Sequence, residues 1–140
     1  MSSKIDPQNS YELSFDIILN DTGSLVSLEA LKNVPFPIKR VYYIFGTKAD
    51  VVRGKHAHTK LSQVLIAVSG SCKIKNFDGK CEKIYTLDNP NKGLFIGPNI
   101  WHEMFDFSPD CVLLVLADGY YDESEYIRDY QDFVCLRKEI

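Results

Sequence analysis

The chain has three histidines, and two of them, His56 and His58, are one residue apart in Arg53-Gly54-Lys55-His56-Ala57-His58. Side chains on a strand alternate faces, so residues i and i+2 look into the same space. On a strand, these two imidazoles address one target. An imidazole titrates near neutrality, with an ordinary pKa of about 6.5, and can therefore take or give a proton there. The same pair can instead begin a divalent-metal site, or be two structural histidines with satisfied nitrogens. The third histidine, His102, lies in a second polar and aromatic cluster, Pro98-Asn99-Ile100-Trp101-His102-Glu103. Our reading is that the fold brings both clusters into one site.

The elements that must position these groups read as strands. Tyr11 to Ile17 alternates apolar with polar residues, Ser24 to Glu29 follows the turn Asn20-Asp21-Thr22-Gly23, and Ile38 to Phe45 is β-branched and aromatic. Arg40 and Tyr42 share a parity on that last run, which puts them with the histidines on a polar interior face. Val41, Tyr43 and Phe45 then face elsewhere. Val64 to Val68 reads as a buried strand closed by Ser69-Gly70. Ser71 to Phe77 and Cys81 to Leu87 flank Asp78-Gly79, a hairpin signal. Gly93 to Ile96, Trp101 to Phe107 and Cys111 to Ala117 complete the set. Residues 1–10 are polar and expected to be flexible. Only the tail, 122–134, has helical spacing, with Asp122 as the expected N-cap and Tyr126, Ile127, Tyr130 and Phe133 on one face. Many short strands, turns between them and one terminal helix predict an all-β sandwich or barrel.

Composition excludes several classes of function. The 140 residues fit a single domain, 1–140, large enough to bury a core. The net charge is -3 with no long basic run, which argues against nucleic acid as a partner. No apolar stretch reaches the roughly 20 residues that span a bilayer, and the first residues lack an apolar export segment, so no membrane partner and a cytoplasmic location are expected. None of the four cysteines forms a Cys-x-x-Cys pair, and reduced thiols are expected.

The spacing His56-x-His58-x4-Gln63-x6-Gly70, followed by Gly93, Pro98 and His102, resembles the two motifs of the cupin superfamily. Gln63 stands where metal-binding members of that superfamily carry glutamate, and a neutral amide is a poor ligand for a hard or borderline cation. Arg53-Gly54-x-His56 is similar to the Arg-Gly-x-His of metal-free sugar-nucleotide epimerases. A closer resemblance runs through Lys39-Arg40-Val41-Tyr42-Tyr43-Ile44, Arg53-Gly54-x-His56-Ala57-His58, Gly97-Pro98-x-x-Trp101-His102-Glu103-Met104 and Tyr120-Tyr121-Asp122-Glu123 with Tyr126-Ile127-Arg128. Together these resemble the 3,4-ketoisomerases of dTDP-4-keto-6-deoxyglucose.

That resemblance implies a cupin jelly-roll barrel without metal or other cofactor, acting on a dTDP-linked 4-keto-6-deoxy sugar, and a homodimer. The strand 24–29 and the N-terminal strand are the segments expected to cross to a second copy. The reaction moves a ketone from C4 to C3 through an enediolate, which calls for groups that serve as both acid and base. On this reading His58 is the C–H base, His56 the shuttle between the oxygens and Tyr42 an acid or hydrogen-bond donor. Arg53 and Arg40 bind the diphosphate through guanidinium forks, while Gln63 and His102 contact the sugar. Trp101 is expected in the core, and Tyr120-Tyr121 is expected to anchor the tail helix. Two alternatives stay open: a metal-dependent cupin enzyme, and a non-catalytic nucleotide-sugar sensor.

Overall fold

The computed structural model describes residues 6–140. The flexibility expected of residues 1–5 lies outside the described residues. Twelve strands form: β1 (Ser10–Ser14), β2 (Ile18–Asn20), β3 (Gly23–Leu25), β4 (Arg40–Phe45), β5 (Arg53–His58), β6 (Gln63–Ser69), β7 (Cys72–Phe77), β8 (Glu82–Leu87), β9 (Lys92–Ile96), β10 (Trp101–Phe105), β11 (Val112–Ala117) and β12 (Tyr126–Ile127). Helix α1 (Tyr130–Lys138) ends the chain. One antiparallel sheet runs β1-β9-β6-β11-β4, and the other runs β12-β5-β10-β7-β8. Strands β2 and β3 make a separate hairpin.

The two large sheets pack face to face. Their shared core takes Leu65 and Ala67 from β6, Leu94 and Ile96 from β9 and Leu113 and Val115 from β11. The other sheet contributes Ile74 from β7, Leu87 from β8 and Met104 from β10. Fully burying one such side chain contributes roughly 1.5–3 kcal/mol. Strand β6 reads as an unbroken apolar run because both of its faces are covered. Val64 and Ile66 point outward, under Phe15, Val34 and Phe36. This is the double-sheet barrel of the cupin fold.

Three expectations are corrected. The tail is not helical over 122–134. Asp122 caps a single 3-10 turn, Glu123–Glu125, through its side chain and the Ser124 N–H. Tyr126 and Ile127 then pair with His58 and Ala57 on the open edge of β5, and the helix starts only after its true N-cap, Asp129. Cross-strand pairing outweighs helical spacing in those residues. Residues 6–10 are not loose either. The Gln8 N–H donates to Asp78 Oδ2 at 2.8 Å, Tyr85 donates to Asp6 Oδ1 at 2.8 Å, and buried Ser10 opens β1. The strand expected over 24–29 stops at Leu25, and Val26 and Leu28 instead pack on the outer apolar layer.

Candidate active site

The site lies between the two sheets. Antiparallel register places His102 of β10 directly opposite His56 of β5. Alternation along β5 turns His58 the same way. The three rings cluster, with centroids 4.6 Å apart for His56 and His102, 4.9 Å for His56 and His58, and 5.7 Å for His58 and His102. Tyr126 on β12 closes over them, 4.4 Å from His58 and 5.0 Å from His56.

A β-bulge shapes the entrance. The register between β5 and β10 shifts between His102 and Glu103, leaving Lys55 as an extra residue. Both Gly54 and Lys55 take positive φ, +85° and +59°. A Cβ on Gly54 would lie 2.9 Å from the His102 carbonyl oxygen. The glycine of the Arg-Gly-x-His motif is thus required by the approach of β10, which carries the third histidine.

The acceptors around the rings dictate their tautomers. His56 Nδ1 donates to the Gly54 carbonyl at 3.0 Å, His102 Nδ1 to the Ile100 carbonyl at 3.4 Å, and His58 Nδ1 to the Glu125 carboxylate. Carbonyls and carboxylates only accept, so each Nδ1 carries the hydrogen and each Nε2 keeps its lone pair. His58 Nε2 is buried with no partner among the described residues. Burial, then the neighbouring His58, brings His56 down to about 4. Burial also lowers His102, with the other two histidines adding to it. His58 is lowered by burial too, but the Glu125 hydrogen bond and charge push it back up. Of the three, His58 is the one whose protonated form has a carboxylate beside it.

The opposite sheet supplies Tyr42, Gln63 and Arg40. Gln63 Nε2 donates to the Tyr42 hydroxyl at 2.9 Å. Burial raises the Tyr42 pKa, so the phenol stays protonated and remains a donor. Arg40 lies over the Tyr42 ring at 5.2 Å, and among the described residues its buried Nε has no partner. A cavity of about 350 Å³ opens here, lined by Arg40, Tyr42, Arg53, His56, Tyr126 and Arg128 among others. His58, Gln63 and His102 are buried behind that lining. A cavity of about 480 Å³ beside Lys60 and Tyr120 is larger, yet it holds no histidine, and the acid–base groups mark the smaller one.

All seven residues singled out in the sequence are therefore on this interior face or at its mouth. Trp101 is in the core with Ala57 and Phe133, as expected. Tyr120 and Tyr121 do not anchor the helix; both are exposed, and Tyr121 lies 5.7 Å from the Arg40 guanidinium. Three groups were missed. Tyr126 and Arg128 line the cavity, although the spacing of Tyr126-Ile127-Arg128 suits a helix. Arg128 is held by a two-pronged ion pair to Glu123, at 2.8 and 2.9 Å, and stacks on Tyr126 at 4.5 Å. Glu125 lies 67 residues from its histidine, in a run of acids that gave no signal.

The same three histidines offer ligand atoms within 4.8 Å of one another, so they could hold a cation. The carboxylate that would complete and neutralise such a set is replaced by Gln63, a neutral amide that brings no charge to a cation and whose NH2 donates to Tyr42. The donor set does not match a metal-binding cupin, and no step below runs through a metal.

A double-sheet barrel with paired acid–base histidines and free guanidinia beside them defines a cupin of the sugar-nucleotide isomerase type. The family model described as "FdtA: WxcM-like, C-terminal" matches residues 8–138, and the chain belongs to that family. It is 54% identical over 121 residues, 86% of this chain and 87% of the relative, to the TDP-4-oxo-6-deoxy-alpha-D-glucose-3,4-oxoisomerase of Aneurinibacillus thermoaerophilus. Among solved structures it is similar to QdtA, a sugar 3,4-ketoisomerase from Thermoanaerobacterium thermosaccharolyticum in complex with TDP. That match has a TM-score of 0.92 and 47% identity, covering 94% of this chain and 96% of QdtA. A 3,4-ketoisomerase from Helicobacter canadensis matches with a TM-score of 0.90 and 51% identity, covering 93% of this chain and 98% of that one.

Proposed function

We propose that this chain is a sugar-nucleotide 3,4-ketoisomerase that converts dTDP-4-keto-6-deoxyglucose into a dTDP-3-keto-6-deoxyhexose without a metal. The observation that carries the reading is the cluster of three imidazoles, with His58 Nε2 unpartnered among the described residues, beside a cavity lined by the guanidinia of Arg40 and Arg53 as well as that of Arg128. Among the described residues neither Arg40 nor Arg53 is in an ion pair. The relatives' names supply the substrate class.

His58 Nε2 takes the proton from C3. The C–H electron pair becomes the C3–C4 double bond of an enediolate, and the C4 oxygen gains negative charge. His56, neutral at pH 7, moves the hydroxyl proton from the C3 oxygen to the C4 oxygen. A proton then returns to C4, leaving the ketone at C3. Tyr42, held protonated, donates to the developing oxyanion. Arg53 and Arg40 hold the diphosphate. Gln63 fixes Tyr42, and His102 braces His56 from across the β5–β10 pair.

We further propose a cytoplasmic homodimer. The four free thiols support the compartment. Dimerisation is supported by apolar side chains on the outer face of edge strand β4, Val41, Tyr43 and Phe45, and by Leu19 and Leu25 on the projecting β2–β3 hairpin, all exposed.

The deciding experiment is incubation with dTDP-4-keto-6-deoxyglucose in D2O, followed by NMR. The expected product carries its carbonyl at C3 and deuterium at C4, and His58→Asn forms none of it. Unchanged ketosugar with the wild-type protein would sink the reading and leave the sensor alternative. A stoichiometric transition metal in the active protein would favour the metal-dependent one.

A further inference from the structure

We propose that Glu125 is a positioning residue: its carboxylate fixes His58 in the tautomer that keeps Nε2 unprotonated, and it stabilises the imidazolium formed when Nε2 takes the C3 proton. The proposal rests on the ketoisomerase reading above.

Glu125 is only 6% exposed, and both of its carboxylate oxygens are engaged. Oε1 accepts from the Lys60 N–H at 3.1 Å and the Leu61 N–H at 3.2 Å, and Oε2 accepts from His58 Nδ1. Its carbonyl accepts from the Thr59 N–H at 2.9 Å and from Thr59 Oγ1 at 3.2 Å. The next residue, Tyr126, pairs with His58 in the sheet. Imidazole and carboxylate are therefore locked together by main chain on both sides. A buried carboxylate that accepts from two main-chain amides and one imidazole N–H leaves the far nitrogen of that ring unprotonated for the substrate. The other groups around His58 cannot take this part. His56 and His102 are neutral imidazoles, Tyr126 meets it by its ring, and Arg40 and Arg128 are cations that disfavour a second positive charge.

The arrangement makes a sharp prediction for Glu125→Gln. The Lys60 and Leu61 amides need an acceptor, so they capture the glutamine oxygen and turn its NH2 toward His58. Nδ1 must then accept, and the ring proton moves to Nε2, where it blocks the base. The test combines kinetics on dTDP-4-keto-6-deoxyglucose with nitrogen-15 NMR of histidine-labelled full-length protein. In the wild type, His58 is expected to show an unprotonated Nε2. In Glu125→Gln the tautomer is expected to reverse and kcat to fall about 10²- to 10⁴-fold, with KM and dTDP affinity little changed. Glu125→Asp keeps the charge and is expected to keep the tautomer and recover part of the rate.

Wild-type kcat in Glu125→Gln would overturn the proposal. So would a wild-type His58 protonated on Nε2, or equal losses in both variants with the tautomer unchanged, which is the outcome of a merely structural anchor. Should Glu125→Gln fail to fold, the wild-type tautomer and Glu125→Asp still decide. If the wild-type protein leaves the ketosugar untouched, the ketoisomerase reading fails, while the NMR result stands on its own.

Discussion

A histidine pair one residue apart announces itself, because strand alternation leaves few ways to separate the two rings. What alternation does not show is what each ring can do. His56 is held at about 4 by burial and by His58, whereas an unfolded histidine titrates near 6.5. Between those values the unfolded chain binds more protons, so the stability this group contributes is complete above pH 6.5. It drains away toward pH 4, by roughly 3 kcal/mol in all. Melting temperatures at pH 7 and pH 5 are expected to differ by less in His56→Asn than in the wild type. Arg53 lines the mouth of the cavity, and the proposed function gives it the diphosphate and no part in the proton transfers. Arg53→Ala is expected to weaken dTDP binding about tenfold or more, as loss of a charge-assisted contact does, with little change in kcat; calorimetric titration with dTDP measures it. Arg53, Arg40, Tyr42 and the histidines were legible because residue type and parity agree. Glu125 was not, because its importance comes wholly from a contact between distant segments.

At the scale of elements, β5 is the organising piece, and its two neighbours complete it differently. Strand β10 brings His102 by register, across a bulge that only a glycine at position 54 allows. Strand β12 brings Tyr126, with Glu125 just before it. Most strands could be read from alternation and turn chemistry to within a few residues. The tail could not, because β12 is two residues long, too short to display a period, and its side chains happen to suit a helix. Helix α1 starts later and seats Phe133 against Ala57 and Trp101 on the back of β5 and β10. Phe133→Ala removes a fully buried ring and is expected to cost about 3–5 kcal/mol, read as a lower midpoint in urea.

For the whole molecule, the division of labour between sheets matters most. One sheet carries the imidazoles, and the other carries Tyr42, Gln63 and Arg40. The spacing of the two sheets, set by the shared core, therefore sets the distance between the imidazoles and the Tyr42 hydroxyl, the proposed base and oxyanion donor. The outward face of β4 has no such task, and its exposed aromatics are the natural place for a second copy. On the homodimer proposal, the wild type is expected to sediment as a dimer in analytical ultracentrifugation and Tyr43→Asp as a monomer. An unaltered sedimentation coefficient would assign the interface elsewhere or remove it. The short edge strand β12 has a different consequence. A two-residue pairing at a sheet border is among the first parts of a protein to open, well before the packed strands separate. When it opens, Glu125 and Tyr126 leave His58 while the barrel stays intact. On gentle heating the catalyst should fall silent as a still-folded protein, and regain its rate on cooling without having to refold.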